Sequence, residues 1–134
     1  MAHSYAFKTP DVSLDREVIQ FFEDFYRISD TPGNHGDYVD QFADNATFIV
    51  AHKKNHGRDE IMKQRLSMWY HVEGRKHTIY KIYPFGNDST EFMIHGHVKY
   101  LLENGEEKEL DWAGKAELTK VSGHWKLQFY QIWL

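Results

Sequence analysis

The chain has 134 residues, with 20 acidic and 16 basic side chains, a formal charge of −4 at pH 7, 16% aromatic residues, nine histidines and no cysteine. That length predicts one domain, 1–134, with its own core, and the missing cysteines exclude disulfides and thiolate metal sites. The mixed charges give no basic stripe for nucleic acid, no apolar run reaches the ~18 residues of a membrane span, and the first residues lack a signal peptide's apolar stretch; the expectation is a soluble, cytoplasmic protein without nucleic-acid or membrane partners.

After an arm from Met1 to Asp11, Ser13 is placed to cap a helix whose first turn carries Asp15 and Glu17, acids suited to the positive end of a helix dipole. Val18, Phe21, Phe22, Phe25, Ile28 and Ser29 recur at helical spacing and predict about five turns with a wide apolar stripe. Tyr26 and Asp30 extend that stripe, so a polar tip borders the buried face. Thr31-Pro32-Gly33-Asn34 breaks the helix, and a short second one follows with Tyr38, Val39 and Phe42 on one side. A strand is predicted from Ala46 to Ala51, with Asn55-His56-Gly57 turning out of it. The third helix starts near Arg58 and is expected to stop at Gly74, a residue suited to the left-handed position past a helix end. Its stripe is Ile61, Arg65, Met68, Trp69 and Val72, which sets an arginine in the middle of an apolar face.

From Lys76 to Leu134 run four strand patterns, separated by Pro84-Phe85-Gly86-Asn87-Asp88, Asn104-Gly105 and Ser122-Gly123. Asn104-Gly105 reads as a two-residue type I′ hairpin turn, which needs positive φ at both central positions. Phe92, Ile94, Gly96, Val98, Tyr100 and Leu102 alternate with mostly polar residues, and Leu110, Trp112, Gly114, Ala116 and Leu118 do the same. Such period-two alternation means one covered face and one polar face. In the last strand Trp125, Leu127, Phe129, Gln131 and Trp133 are expected to share the apolar face. Gly96 and Gly114 are gaps where something can approach the sheet closely. The fold class is therefore α+β, with three helices covering one face of a curved, mostly antiparallel sheet.

This order of elements, with Phe25-Tyr26-Arg27-Ile28-Ser29-Asp30, Tyr38-Val39-Asp40-Gln41-Phe42, Gly57-Arg58-Asp59-Glu60-Ile61 and Trp125-Lys126-Leu127, resembles the SnoaL-like branch of the nuclear-transport-factor-like superfamily over nearly the whole chain. The resemblance implies a cone, a curled sheet wrapped on the long first helix, with a deep aromatic-lined pocket between sheet and helices. Relatives include polyketide cyclases, ketosteroid isomerases, scytalone dehydratase and epoxide hydrolases, mostly cofactor-free and often dimeric, beside members with no catalysis. His77 lies where scytalone dehydratase has a catalytic histidine, and Tyr26 where it has a pocket tyrosine. The aspartate that follows that tyrosine is Arg27 here, and the second catalytic histidine would fall near Leu102, so the dehydratase set is incomplete.

His77 shares a strand face with Ile79 and should point inward, as a proton-transfer group or as a hydrogen-bonded core histidine; an imidazole's ordinary pKa near 6.5 suits it to both giving and taking a proton. Arg65 could bind a carboxylate, phenolate or enolate oxygen, or pair structurally with Asp44, Asp30 or a carbonyl group. Asp30 could act as a base with Tyr26 orienting a ligand oxygen, although Asp30 is also an ordinary turn starter. Tyr100 and Gln131 are polar groups on apolar strand faces, suited to fixing a ligand, and Trp69 would give the pocket an aromatic wall. His95 and His97 point to one side of a strand, but no third ligand is fixed, and a solvated or subunit-facing pair is expected in place of a metal site. The expected function is a cofactor-independent cyclase, isomerase or dehydratase acting on a polyketide-like or other small oxygenated natural product, working as a homodimer. A non-catalytic small-molecule-binding or dimerisation module is the alternative.

Overall fold

A computed structural model describes residues 5–7 and 11–134. The elements are α1 Arg16–Asp30, α2 His35–Val39, β1 Phe42–Val50, β2 Lys53–His56, α3 Gly57–Met68, β3 Val72–Pro84, β4 Glu91–Leu102, β5 Glu107–Val121 and β6 His124–Trp133. The sheet order is β2-β1-β6-β5-β4-β3, with β1 parallel to β6 and every other neighbouring pair antiparallel. Three helices on a mostly antiparallel sheet are what the periodicities predict, and the meander β3 to β6 runs where the turn residues place it.

Four local expectations need correction. Asp15, not Ser13, caps α1 by accepting the Glu17 N–H at 2.8 Å, while the Ser13 hydroxyl donates to Asp88 at 2.8 Å. The third helix ends at Met68 and Gly74 lies within β3; the chain reverses at His71, whose φ of 59° is of a kind histidine adopts more readily than most residues. The type I′ geometry belongs to Ser122 and Gly123, with φ of 51° and 81°. At Asn104-Gly105 only the glycine is positive, at 88°, and it closes a longer loop through Gly105 N–H to the Leu102 carbonyl at 2.9 Å. Finally, Lys53–His56 is an edge strand that its sequence hides, because a lysine-rich edge carries no apolar alternation.

The alternation in β4 and β5 is as the pattern requires: Phe92, Ile94 and Val98, and Trp112, Ala116 and Leu118, are buried. In β6 the parity changes. Leu127 pairs with Leu118 and Phe129 with Glu117, so Gln128 is an extra residue, and beyond this bulge Tyr130 and Ile132 face inward. Phe129, Gln131 and Trp133 consequently stand on the opposite face, which corrects the face expected for Gln131.

Helix α1 lays Phe22, Phe25 and Tyr26 on the concave face. Phe22 meets Phe92 edge-on at 5.2 Å, and Phe25 meets Tyr130 at 5.3 Å. Each such buried ring contributes roughly 1.5–3 kcal/mol. Gly96 and Gly114 are where the Trp112 indole crosses the sheet: a Cβ on Gly96 would lie 2.8 Å from Trp112 Cζ2, and one on Gly114 3.2 Å from its Cζ3.

Candidate functional site

Asp30 is the last residue of α1, and β3 passes beside it with His77 facing in. One carboxylate oxygen accepts the His77 Nδ1–H at 2.6 Å; the other accepts the His77 backbone N–H at 2.7 Å and the Tyr5 hydroxyl at 2.7 Å. The two side chains are 5% and 11% exposed, so the pair is shielded from water. Donation from Nδ1 to a carboxylate leaves the ring lone pair on Nε2. The Tyr26 ring packs 5.3 Å from the imidazole, and Trp112 meets it edge-on at 5.7 Å. Burial, then the hydrogen bond to Asp30, pushes the Tyr5 phenol well above its ordinary range.

His77 borders a partly open cavity of about 80 Å³, together with Arg75, Val98, Tyr100, Trp112 and Ile132. That is well below the roughly 300–1,000 Å³ of pockets that take drug-sized ligands. The deep hollow expected from the resemblance is filled by rings: Tyr26, Tyr38, Phe42, Phe48 and Tyr130 interlock between α1 and the sheet. Two wider grooves, of about 520 and 670 Å³, open on the outside near Trp125 and near Lys63, and neither includes Asp30, His77 or Arg75.

Arg75 enters β3 two residues before His77 and so shares its face. Its Nη2 donates to the Met68 carbonyl at 2.6 Å, and the guanidinium lies over the rings of Tyr100 at 4.9 Å and Trp69 at 5.3 Å. Burial lowers the Arg75 pKa, and Tyr100, then Tyr38 and Asp30, each oppose that by favouring the charged guanidinium. Burial raises the Tyr100 phenol, against the pull of Arg75. Sequence reading passed over Arg75 because it ran the third helix on to Gly74; period two counted back from Ile79 and His77 reaches it. Tyr5 sits in an arm without periodicity and gave no signal.

The other predicted residues divide. Arg65 has no exposed surface; Nη1 donates to the Ser29 carbonyl at 2.7 Å, Nη2 to Thr31 at 3.2 Å and Ile28 at 3.4 Å, and Nε to His35 Nδ1 at 3.1 Å. Burial draws its pKa down to about 10, still charged at neutral pH. Of the alternatives read from sequence, the carbonyl pairing is the one present, and Arg65 is not among the residues that line the cavity. Trp69 lies between the two guanidiniums, 5.1 Å from Arg65 and 5.3 Å from Arg75. The Tyr26 hydroxyl is bonded to that of Tyr130 at 2.8 Å, one layer behind the imidazole. Tyr100 lines the cavity, whereas Gln131 stands across the sheet from it, in register with Lys115. His97 lies between Glu109 at 3.2 Å and Asp111 at 2.9 Å on the outer face, and among the described residues no group of three His, Cys, Asp or Glu could hold a metal ion.

No protein-family model matches the chain, and a search of curated proteins finds no match. Solved structures do match. A candidate calcium/calmodulin-dependent protein kinase II association domain from Xanthomonas campestris is 16% identical with a TM-score of 0.77, covering 98% of this chain and 96% of its own. A ketosteroid-isomerase-like protein from Catenulispora acidiphila, in complex with trimethylamine, is 15% identical at a TM-score of 0.71, with 95% and 87% covered. A candidate scytalone dehydratase from Novosphingobium aromaticivorans is 18% identical at 0.70, with 87% and 80% covered. The resemblance read from sequence therefore holds for the fold, which is ketosteroid-isomerase-like. Among the described residues no helix is long and apolar enough to cross a membrane.

Proposed function

We propose that the protein is a cofactor-independent acid–base enzyme, a cyclase, isomerase or dehydratase, acting on a small oxygenated compound of polyketide-like chemistry. The observation that carries this reading is the Asp30–His77 pair, whose histidine lines a small, partly open cavity. Asp30 holds the imidazole in one tautomer, and Nε2 takes a proton from carbon next to a carbonyl group. The electron pair moves onto the carbonyl oxygen, where the Tyr100 hydroxyl and the Arg75 guanidinium border the same space. The imidazolium then returns the proton to another carbon in an isomerisation, or to a departing hydroxyl in a dehydration. Arg65 has a positioning part, fixing the end of α1 that carries Asp30. A homodimer through the outer sheet face, where Tyr80, Tyr83 and Met93 are exposed, belongs to the same reading.

The test needs no known substrate. A panel of small enolisable ketones is incubated with the protein in D2O, and exchange at the carbon next to the carbonyl is followed by NMR. The wild type should accelerate exchange, and His77→Gln should lose about 100-fold of that acceleration, the lower range for a general base. Equal rates in both would end the proposal. The alternative, a non-catalytic binding or dimerisation module of the same fold, is favoured by the cavity's 80 Å³. Saturable ligand binding with no exchange would establish it.

A further inference from the structure

Two residues that line the cavity, Arg75 and Trp112, each carry a buried donor, Nε and Nε1 respectively, that has no hydrogen-bond partner among the described residues. Trp112 is 3% exposed, so its indole N–H has no access to bulk water either. A buried donor left unmade costs about 1–3 kcal/mol, and more when it belongs to a charged group. The indole N–H groups of Trp69 and Trp125 also lack a partner among the described residues, but neither residue lines the cavity. The lining side chains include one cation, Arg75, and no carboxylate. Among the described residues no carboxylate side chain forms an ion pair with that guanidinium, which donates to the Met68 carbonyl and lies over two aromatic faces. Tyr100 and His77 add two polar groups to the lining, and the rest of it, Val50, Met68, Val98, Ile132 and Leu134, is apolar in its side chains.

From this arrangement, and resting on the reading of the cavity as the ligand site, we infer that its occupant is a short-chain aliphatic carboxylate. The carboxylate accepts from Arg75 Nε and Trp112 Nε1, and the alkyl end packs on Val50, Val98 and Ile132. Acceptor-only chemistry matches a carboxylate, which has two oxygens and no proton to donate at neutral pH. Size sets the chain length. About 80 Å³ is far below the roughly 300–1,000 Å³ of drug-sized ligand pockets and suits an acid of roughly two to four carbons. Inorganic phosphate would meet the donors but leave the apolar walls unfilled. For the proposed enzyme, the substrate would then be a small oxo or hydroxy acid whose carboxylate is fixed beside His77.

The experiment uses the full chain labelled with ¹⁵N, with Trp112→Phe assigning the Trp112 indole resonance. Butyrate is titrated against butanamide, its neutral near-isostere, and against inorganic phosphate. Butyrate should shift the Trp112 indole N–H saturably downfield, as a charge-assisted hydrogen bond forms, and butanamide and phosphate should each bind at least about tenfold more weakly. Arg75→Lys, which keeps the charge and loses the fork, should weaken butyrate by about tenfold. Arg75→Met should abolish the shift, and the wild-type comparison of ligands stands even if that variant does not fold. Absence of a saturable shift, or butanamide equal to butyrate, would overturn the inference, leaving the donors to water. The readout is binding alone: butyrate bound with no exchange activity towards ketones would remove the enzyme and keep the carboxylate site.

Discussion

Arg65 Nη1 donates to the carbonyl of Ser29, 2.7 Å away, one residue before the aspartate that holds His77. The guanidinium of α3 thereby satisfies carbonyls left open at the end of α1, which a helix cannot satisfy within itself. It also lies 4.4 Å from the Tyr38 ring, so charge, hydrogen bonds and packing act together. Replacing Arg65 with Met removes several charge-assisted bonds and relieves the desolvation of one cation. The expected net loss is roughly 2–4 kcal/mol, since each such bond is worth about 1.5–3. Urea unfolding of R65M measures it, and R65K should fall between, having charge without the fork. A loss below about 1 kcal/mol would show that the carbonyls find other partners.

His35 predicts a pH dependence. Its Nδ1 accepts from Arg65 Nε at 3.1 Å, which requires a neutral ring, and its pKa lies below the ordinary 6.5, by burial first and by the Arg65 charge second. With the folded pKa below the unfolded one, the unfolded chain takes up the proton first as pH falls. The stability from this contact is whole above about 6.5 and is lost as pH falls from there through the lower folded value. His35→Asn can still accept from Arg65 and does not titrate. Stability curves of wild type and H35N, taken from about pH 7.5 to about pH 5, should therefore diverge, with the wild type falling more steeply. Parallel curves would contradict the assignment.

The Tyr26 and Tyr130 hydroxyls are each other's partner at 2.8 Å, in residues 1% and 2% exposed. Burial raises both phenols far above their ordinary range, so the pair stays neutral. Either single change to Phe leaves one buried hydroxyl without this partner and should cost about 1–3 kcal/mol. Changing both removes the demand altogether. The double variant Y26F/Y130F should be nearer to wild type than the sum of the singles, a coupling readable from thermal or urea unfolding of the four proteins. Additive losses would mean that another acceptor reaches one of the hydroxyls.

Much of this was legible in the chain because it follows from periods. The faces of β4 and β5, the inward turn of His77 and the close approach at Gly96 and Gly114 all come from alternation alone. What a period does not carry is a change of phase. One extra residue at Gln128 turned Gln131 to the far face, and a helix end misplaced from Met68 to Gly74 hid Arg75 within the wrong element. Tyr5 joins Asp30 across 25 residues from an aperiodic arm, a contact that only tertiary packing creates. Cavity volume was also out of reach, since it is the small remainder after many rings have packed.

Gly96 offers the sharpest test of the packing that shapes the cavity wall. A Cβ there would lie 2.6 Å from the Thr78 carbonyl oxygen, 2.8 Å from Trp112 Cζ2 and 3.0 Å from its Cε2. The first of these is backbone in the neighbouring strand, held by the ladder between β3 and β4, and cannot swing aside. Gly96→Ala must therefore push the strands apart or displace the indole, and overpacking of this kind costs about 1–3 kcal/mol or more. At Gly114 the tightest approaches are 3.2 Å to Trp112 Cζ3 and 3.3 Å to the Gln131 carbonyl, which a small shift relieves, so G114A should cost clearly less. Trimming the indole separates the two clashes. In a Trp112→Leu background the cost of G114A should shrink, while that of G96A should largely persist because the Thr78 carbonyl remains. Denaturation midpoints of the single and double variants measure both, and a G96A penalty that vanishes with the indole would place the conflict in the side chain instead of the strand.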